Sequence, residues 1–100
     1  MKSESKLDPQ TILFAAKKFS VITHPVRVQI IQLLDENEKL NVTQIYTKIN
    51  MPQPETSHHL AQLRRNNILK KVRSGKMSIY SLNKELIVEL IKIAEELSKR

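Results

Sequence analysis

The sequence predicts a mainly α-helical chain with one small β-hairpin, an α+β fold in the order α-α-α-α-β-β-α. Three observations carry this. Apolar residues recur at helical spacing in five separate stretches. All four prolines stand at or beside the places where those stretches begin. One stretch, "ILKKVRSGKMSIYSL", is rich in strand-forming residues and is broken by the chain's single glycine.

Each element has its own signal. Asp8-Pro9 reads as an N-cap followed by proline at the first helical position. Ile12, Ala15, Ala16 and Phe19 then follow at helical spacing, to about Ile22. "THPVRVQIIQLLDENEK" repeats the device: Thr23 or His24 caps, Pro25 opens, and Val26, Ile30, Ile31 and Leu34 form the apolar stripe. "DENEKL" reads as a polar break. "NVTQIYTKIN" is a short third helix with Asn41 and Gln44 at capping-box spacing and Ile45 and Ile49 inward. "MPQP" interrupts, because proline disfavours helix in the residue before it. "PETSHHLAQLRRN" restarts a helix with Pro54 near its start, and asparagine at its end tolerates a left-handed turn. Two strands around a tight turn at Ser74-Gly75 follow. The last helix, "NKELIVELIKIAEELSKR", is capped by Asn83 or Ser81 and carries a broad apolar face from Leu86, Ile87, Leu90, Ile91, Ala94 and Leu97.

One hundred residues are read as a single domain, with residues 1–8 as a disordered tail. Without cysteine the chain has no disulfide, thiolate metal site or cysteine redox switch. No apolar run approaches the roughly 20 residues a membrane span needs, and "MKSESKLDPQ" lacks the apolar core of a signal peptide. A soluble, cytoplasmic protein without a membrane partner is expected.

The formal charge is +7, and its placement is uneven. Residues 56–84 contain no acid but seven bases: Arg64, Arg65, Lys70, Lys71, Arg73, Lys76 and Lys84. Setting those aside leaves 10 bases against 10 acids, so the whole excess lies in one segment. A concentrated positive field suits a polyanion, because neutralised phosphates release counterions. A solvated basic face that keeps the protein soluble is the plainer alternative.

That segment opens with two adjacent histidines, and helix geometry separates them. Neighbouring residues on a helix point about 100° apart. Thr56, Leu60 and Leu63 fall on one stripe, the buried side. His59 borders it as a partly buried residue with one hydrogen-bonded nitrogen. Pro54, His58, Ala61, Gln62 and Arg65 fall opposite. A metal-binding pair needs i, i+4 spacing, and the third histidine, His24, is distant in sequence with no carboxylate at ligand spacing. No metal and no cofactor are expected. A small, polar exposed face permits close approach to a groove.

A short helix near 43–50, a tight break, and a second helix near 54–66 exposing polar groups is the helix-turn-helix order. The basic hairpin after it is then a wing, with Arg73 and Lys76 flanking Gly75. On this reading the partner is double-stranded DNA. Gln53, Glu55, Ser57, His58 and Gln62 read bases, Glu55 by accepting from a cytosine amino group. Thr43, Arg64, Arg65, Arg73 and Lys76 grip phosphates; the alternative for Arg73, at a tight tip, is to reach a minor groove instead. An enzyme is disfavoured: there is no phosphate loop or dinucleotide fingerprint, and Ser57 beside His58 lies on an exposed helix. The competing reading is a protein-interaction module of the same shape that binds no specific DNA; its apolar interface would be insensitive to salt, unlike DNA binding.

At these residues the chain resembles the ArsR-type (ArsR/SmtB) winged-helix repressors. "QPETSHHLAQLRRNNIL" is similar to that family's recognition helix, Q-S-x-x-S-x-H-L-x-x-L-R-x-A-G-L-V, through Gln53, Ser57, His59, Leu60, Leu63, Arg64 and Leu69. "THPVRVQIIQLL" resembles the family's "DPTRLRILRLL" helix through Pro25, Arg27, Ile30 and Leu34. "VRSGKMSIYSL" resembles its wing through Arg73, Gly75, Lys76 and Tyr80. The likeness spans roughly residues 12–97. It implies a winged helix-turn-helix that dimerises through its first and last helices and represses transcription from palindromic operators. The breadth of the last apolar face fits such a homodimer, with Ile12, Phe19, Leu86, Leu90, Ile93 and Leu97 at the interface.

The chain also departs from the pattern. Pro54 replaces the usual serine, and Asn66-Asn67 replaces Ala-Gly. Metal-sensing members carry a cysteine pair at the position of "LNVTQI" or Asp/His ligands on the last helix. This chain has no cysteine, and "KELIVELIKIAEELSKR" has neither histidine nor aspartate. No residue pattern identifies a small-molecule effector.

Overall fold

A computed structural model describes residues 8–99; nearly all of the expected N-terminal tail lies outside them. The helices are α1 (Pro9–Thr23), α2 (Pro25–Asn37), α3 (Val42–Ile49), α4 (Gln53–Arg65) and α5 (Lys84–Ser98). The strands are β1 (Leu40–Asn41), β2 (Leu69–Ser74) and β3 (Met77–Leu82).

The predicted starts are realised atom by atom. The Asp8 carboxylate accepts from the Gln10 N–H, and Pro9 follows it. His24, rather than Thr23, caps α2, its imidazole accepting from the Val26 N–H. Asn41 and Gln44 form the reciprocal capping box of α3. Asn83, rather than Ser81, caps α5. Asn50 and Asn67 both adopt positive φ, at the ends of α3 and just beyond α4. Asparagine reaches this region more cheaply than other side chains.

Three features differ from the sequence reading. First, Leu40–Asn41 is a strand: Leu40 pairs with Tyr80 and Asn41 with Ile79, giving a three-stranded antiparallel sheet ordered β1-β3-β2. Two residues are too few to show an alternation. Second, the hairpin turn lies one residue later, at Gly75-Lys76, because Ser74 pairs with Met77. Gly75 has φ +62, and a positive φ at the first central position alone is the type II′ pattern that suits strand twist. Third, α1 turns a different side inward. Lys18 and Val21 are buried, whereas Ile12, Ala15 and Ala16 of the expected stripe are exposed.

The core joins Val21, Ile30, Leu34, Ile45, Leu60, Leu63 and Ile68 with Leu69, Tyr80, Leu82 and Leu90. It thus draws on all five helices and the sheet. Its centre is the back of α4, whose Thr56, Leu60 and Leu63 are fully buried. The Thr56 hydroxyl is satisfied by donating to the Pro52 carbonyl at 3.1 Å.

The ends of α1 and α5 behave otherwise. Everything from residue 9 to 17 and from 91 to 99 is exposed, including Ile12, Leu13, Phe14, Ile91, Ile93 and Leu97. The molecule is accordingly elongated, 49 × 27 × 21 Å, with a radius of gyration of 15.4 Å. A compact chain of this length has about 13 Å.

Candidate nucleic-acid interface

Helix α4 combines a fixed back with an open front. Its apolar back seats it in the core, and its C-terminal end is held from several sides. Lys18 of α1 donates to the Asn66 carbonyl, its ammonium lying 5.0 Å from the Phe14 ring centroid. The Asn83 side chain donates to the Asn67 carbonyl at 2.9 Å. The Ile68 N–H donates to the Leu63 carbonyl at 2.9 Å. A cation at a helix C-terminus is also favoured by the helix dipole.

The front is polar. Gln53, Glu55, Ser57 and His58 are exposed, as are Arg64 and Arg65; Gln62 is half-buried, less open than the helical wheel implies. Pro52 stands at the N-cap and supplies no side-chain acceptor, so no side chain of the helix's own occupies its leading N–H groups. Thr43 is exposed at the start of α3. On the hairpin, Arg73 and Lys76 flank the turn and are exposed, and the Arg73 guanidinium donates to the Gly75 carbonyl at 3.2 Å. Among the described residues the salt bridge found is Lys99–Glu96. No described carboxylate therefore neutralises the bases of α4 or the hairpin.

The two adjacent histidines separate as expected, His58 exposed and His59 half-buried. His59 has one hydrogen-bonded nitrogen: its Nδ1 accepts from the Arg27 Nε at 3.1 Å. Its imidazole pKa lies below the usual histidine value. Burial is the main cause, followed by His24, Arg27 and His58, with Glu55 opposing. The fold corrects the placing of His24. Distant in sequence, it sits against His59 with ring centroids 4.6 Å apart. The Tyr80 phenol is pushed up by burial, with Arg64 opposing. No group of three or more His, Cys, Asp or Glu side chains that could hold a metal occurs among the described residues.

Of the expected interface residues on the first and last helices, Ile12, Ile93 and Leu97 are open to solvent at 52%, 47% and 62%. Phe19 and Leu86 are half-buried. Leu90 is buried in its own chain's core and so corrects the expectation: it is the last buried residue before the exposed end of α5. The contacts that Lys18, Arg27 and His24 make with α4 are not legible in the sequence, because each partner lies more than 30 residues away. Lys18 gave one usable signal, since it falls between Ala15 and Ile22 at helical spacing, where a base is out of place.

Residues 24–71 match the model of the bacterial regulatory protein arsR family. An uncharacterized HTH-type transcriptional regulator of Methanocaldococcus jannaschii is 35% identical over 83 residues, 83% of this chain and 93% of the relative. The chain belongs to the arsR family of bacterial regulatory proteins. The transcriptional repressor PagR of Bacillus anthracis is 31% identical over 90 residues, 90% of each chain. PagR's crystal structure superposes with a TM-score of 0.71, at 32% identity, over 85% of this chain and 97% of that one. NolR from Sinorhizobium fredii, at 23% identity, shares the fold with a TM-score of 0.76 over 97% and 93% of the two chains. The arsR-family chain is thus a DNA-binding winged helix-turn-helix transcriptional regulator: α3 and α4 are the helix-turn-helix, and β2–β3 is the wing. The family model ends inside β2, so the wing and α5 rest on the full-length matches.

No helix among the described residues is long and apolar enough to cross a membrane.

Proposed function

We propose that this protein is a homodimeric repressor that reads a two-fold symmetric operator, with α4 in the major groove and the wing beside it. One observation carries the reading. The chain's whole excess of positive charge lies in residues 56–84, and the bases there meet solvent on α4 and the hairpin without a described carboxylate partner. Gln53, Glu55, Ser57, His58 and Gln62 contact base edges. Thr43, Arg64, Arg65, Arg73 and Lys76 contact phosphates. The sorting follows from position: the helix enters the groove with its N-terminal residues nearest the bases, whereas Arg64 and Arg65 close the helix at its far end and Arg73 and Lys76 flank the hairpin turn, beside the backbone.

Repression is supported by the relative named a transcriptional repressor. Dimerisation is supported by the exposed apolar ends of α1 and α5, which include Ile12, Ile93 and Leu97. Half-buried Phe19 and Leu86 border those ends. The sensing residues that the family's metal-responsive members carry are absent from the sequence, so release of DNA by metal at those positions is not part of the reading.

The test is binding of a labelled duplex at several salt concentrations. Affinity for a specific site falls linearly on a log–log plot against salt, and Arg73→Ala lowers affinity for most sequences and flattens that slope by about one. An unchanged slope in the variant contradicts the wing assignment.

A further inference from the structure

Where α1, α2 and α4 meet, one arginine joins all three. Arg27, near the start of α2, donates from Nε to His59 Nδ1 on α4 at 3.1 Å. It donates from Nη1 to the Val21 carbonyl at the end of α1 at 3.4 Å. The first bond fixes the chemistry of His59. A guanidinium has five N–H donors and no acceptor. His59 Nδ1 must therefore offer a lone pair, and the ring must be neutral with its proton on Nε2.

The ring facing His59 is under the same constraint. His24 Nδ1 accepts from the Val26 N–H at 3.2 Å and so caps α2. The two rings are 4.6 Å apart, tilted by 54°. A proton added to His59 converts its acceptor into a donor pointed at a permanent cation. The other charged or titratable groups that bear on His59 are His58, also on α4 with its ring 5.8 Å away, and Glu55, the one group that favours a charge there. Histidine on one side and arginine on the other make the neutral state the docked state.

We propose that the Arg27–His59 hydrogen bond positions the recognition helix for DNA, and that it persists only while His59 is neutral, so that acid releases the DNA. The ligand is a proton, and the inference rests on α4 being the DNA-reading helix. His59 touches no DNA in this scheme. It is a positioning residue, one face of α4 behind the groove-facing His58, Gln62 and Arg65. The sign is diagnostic, because the field of a polyanion pushes every nearby histidine toward the charged form. A direct phosphate contact by an imidazole strengthens binding in acid; the latch weakens it.

The experiment uses the full chain and a duplex selected by it near neutral pH. Affinity is measured at about pH 7.5 and about pH 5, where an ordinary histidine passes from neutral to charged. The parent is expected to weaken about tenfold, the effect of one pKa unit between free and DNA-bound His59. His59→Gln presents a carbonyl that accepts from Arg27 and cannot titrate. It is expected to bind near neutral pH and to weaken less than about threefold in acid. An equal loss in parent and variant overturns the inference, since every other titrating group is common to both. Failure of the parent to bind any duplex near neutral pH instead overturns the reading of α4 as the DNA-binding helix, and the inference with it. A second measurement needs no variant: imidazole nitrogen shifts of His59 followed through the same range by NMR. The DNA complex is expected to keep His59 neutral to lower pH than the free protein. An equal or higher midpoint in the complex overturns the latch.

Discussion

His58 and His59 show how far one residue step on a helix changes a side chain's work. His58 meets solvent on the front of α4; His59 is fixed to Arg27 behind it. Replacing His58 or Gln62 by alanine is expected to relax sequence choice while sparing binding to random duplex, because base contacts discriminate and phosphate contacts do not. Equal losses on specific and random DNA would contradict base reading. His59 acts on folding as well. Its pKa in the folded chain lies below the unfolded value, so the unfolded state binds more protons as pH falls. The stability it contributes is complete above about pH 6.5 and is lost on acidification through the folded-state value. Urea midpoints of the free protein are expected to fall between about pH 7.5 and about pH 5, and to fall less in His59→Gln. Identical shifts would remove His59 as the cause. At the back of the helix, Leu60 and Leu63 are fully buried. Leu60→Ala is expected to cost about 2–5 kcal/mol, read as a lowered denaturant midpoint at unchanged slope; a loss within experimental error would show the site can collapse.

At the scale of elements, helix ends were legible in the sequence because caps are local. Asp8-Pro9, His24-Pro25, the Asn41–Gln44 box and Asn83 each act within a few residues of the helix they start. The left-handed turn at Asn67 was legible for the same reason. Features set by distant partners were not. β1 exists because β3 offers it an edge, and two residues carry no period of their own. Helix α1 is apolar on more than one side, so its pattern alone does not say which side packs, and Lys18 and Val21 rather than Ile12 went inward. The position of His24 against His59 depends on how α2 docks on α4, across 35 residues of chain. Lys18 supplies an element-scale prediction. It is 8% exposed and holds the carbonyl at the end of α4. Lys18→Met keeps the stem but leaves that carbonyl without its donor, and is expected to lower stability by about 1–3 kcal/mol. A neutral result in chemical denaturation would mean that water replaces the ammonium there.

For the whole molecule, the elongated outline and the bare apolar ends of α1 and α5 are two views of one fact. A chain of 100 residues buries a modest share of its surface alone, and here six of the ten large exposed apolar side chains among the described residues lie on the two helix ends. Charge is concentrated too, on α4 and the wing. A dimer formed through the helix ends would set two copies of α4 at a fixed spacing, which is what a palindromic site requires. Placing a charge there, as in Leu97→Glu, is expected to yield a folded monomer by sedimentation with much weakened specific binding; an unchanged dimer would move the interface elsewhere. The most direct measurement of the central claim is selection of bound duplexes from a random pool by the native protein. The account predicts enrichment of a palindrome whose half-sites are centred about one helical turn, ~34 Å, apart. Recovery of sequences with no shared motif, or of a single unrepeated half-site, would contradict it.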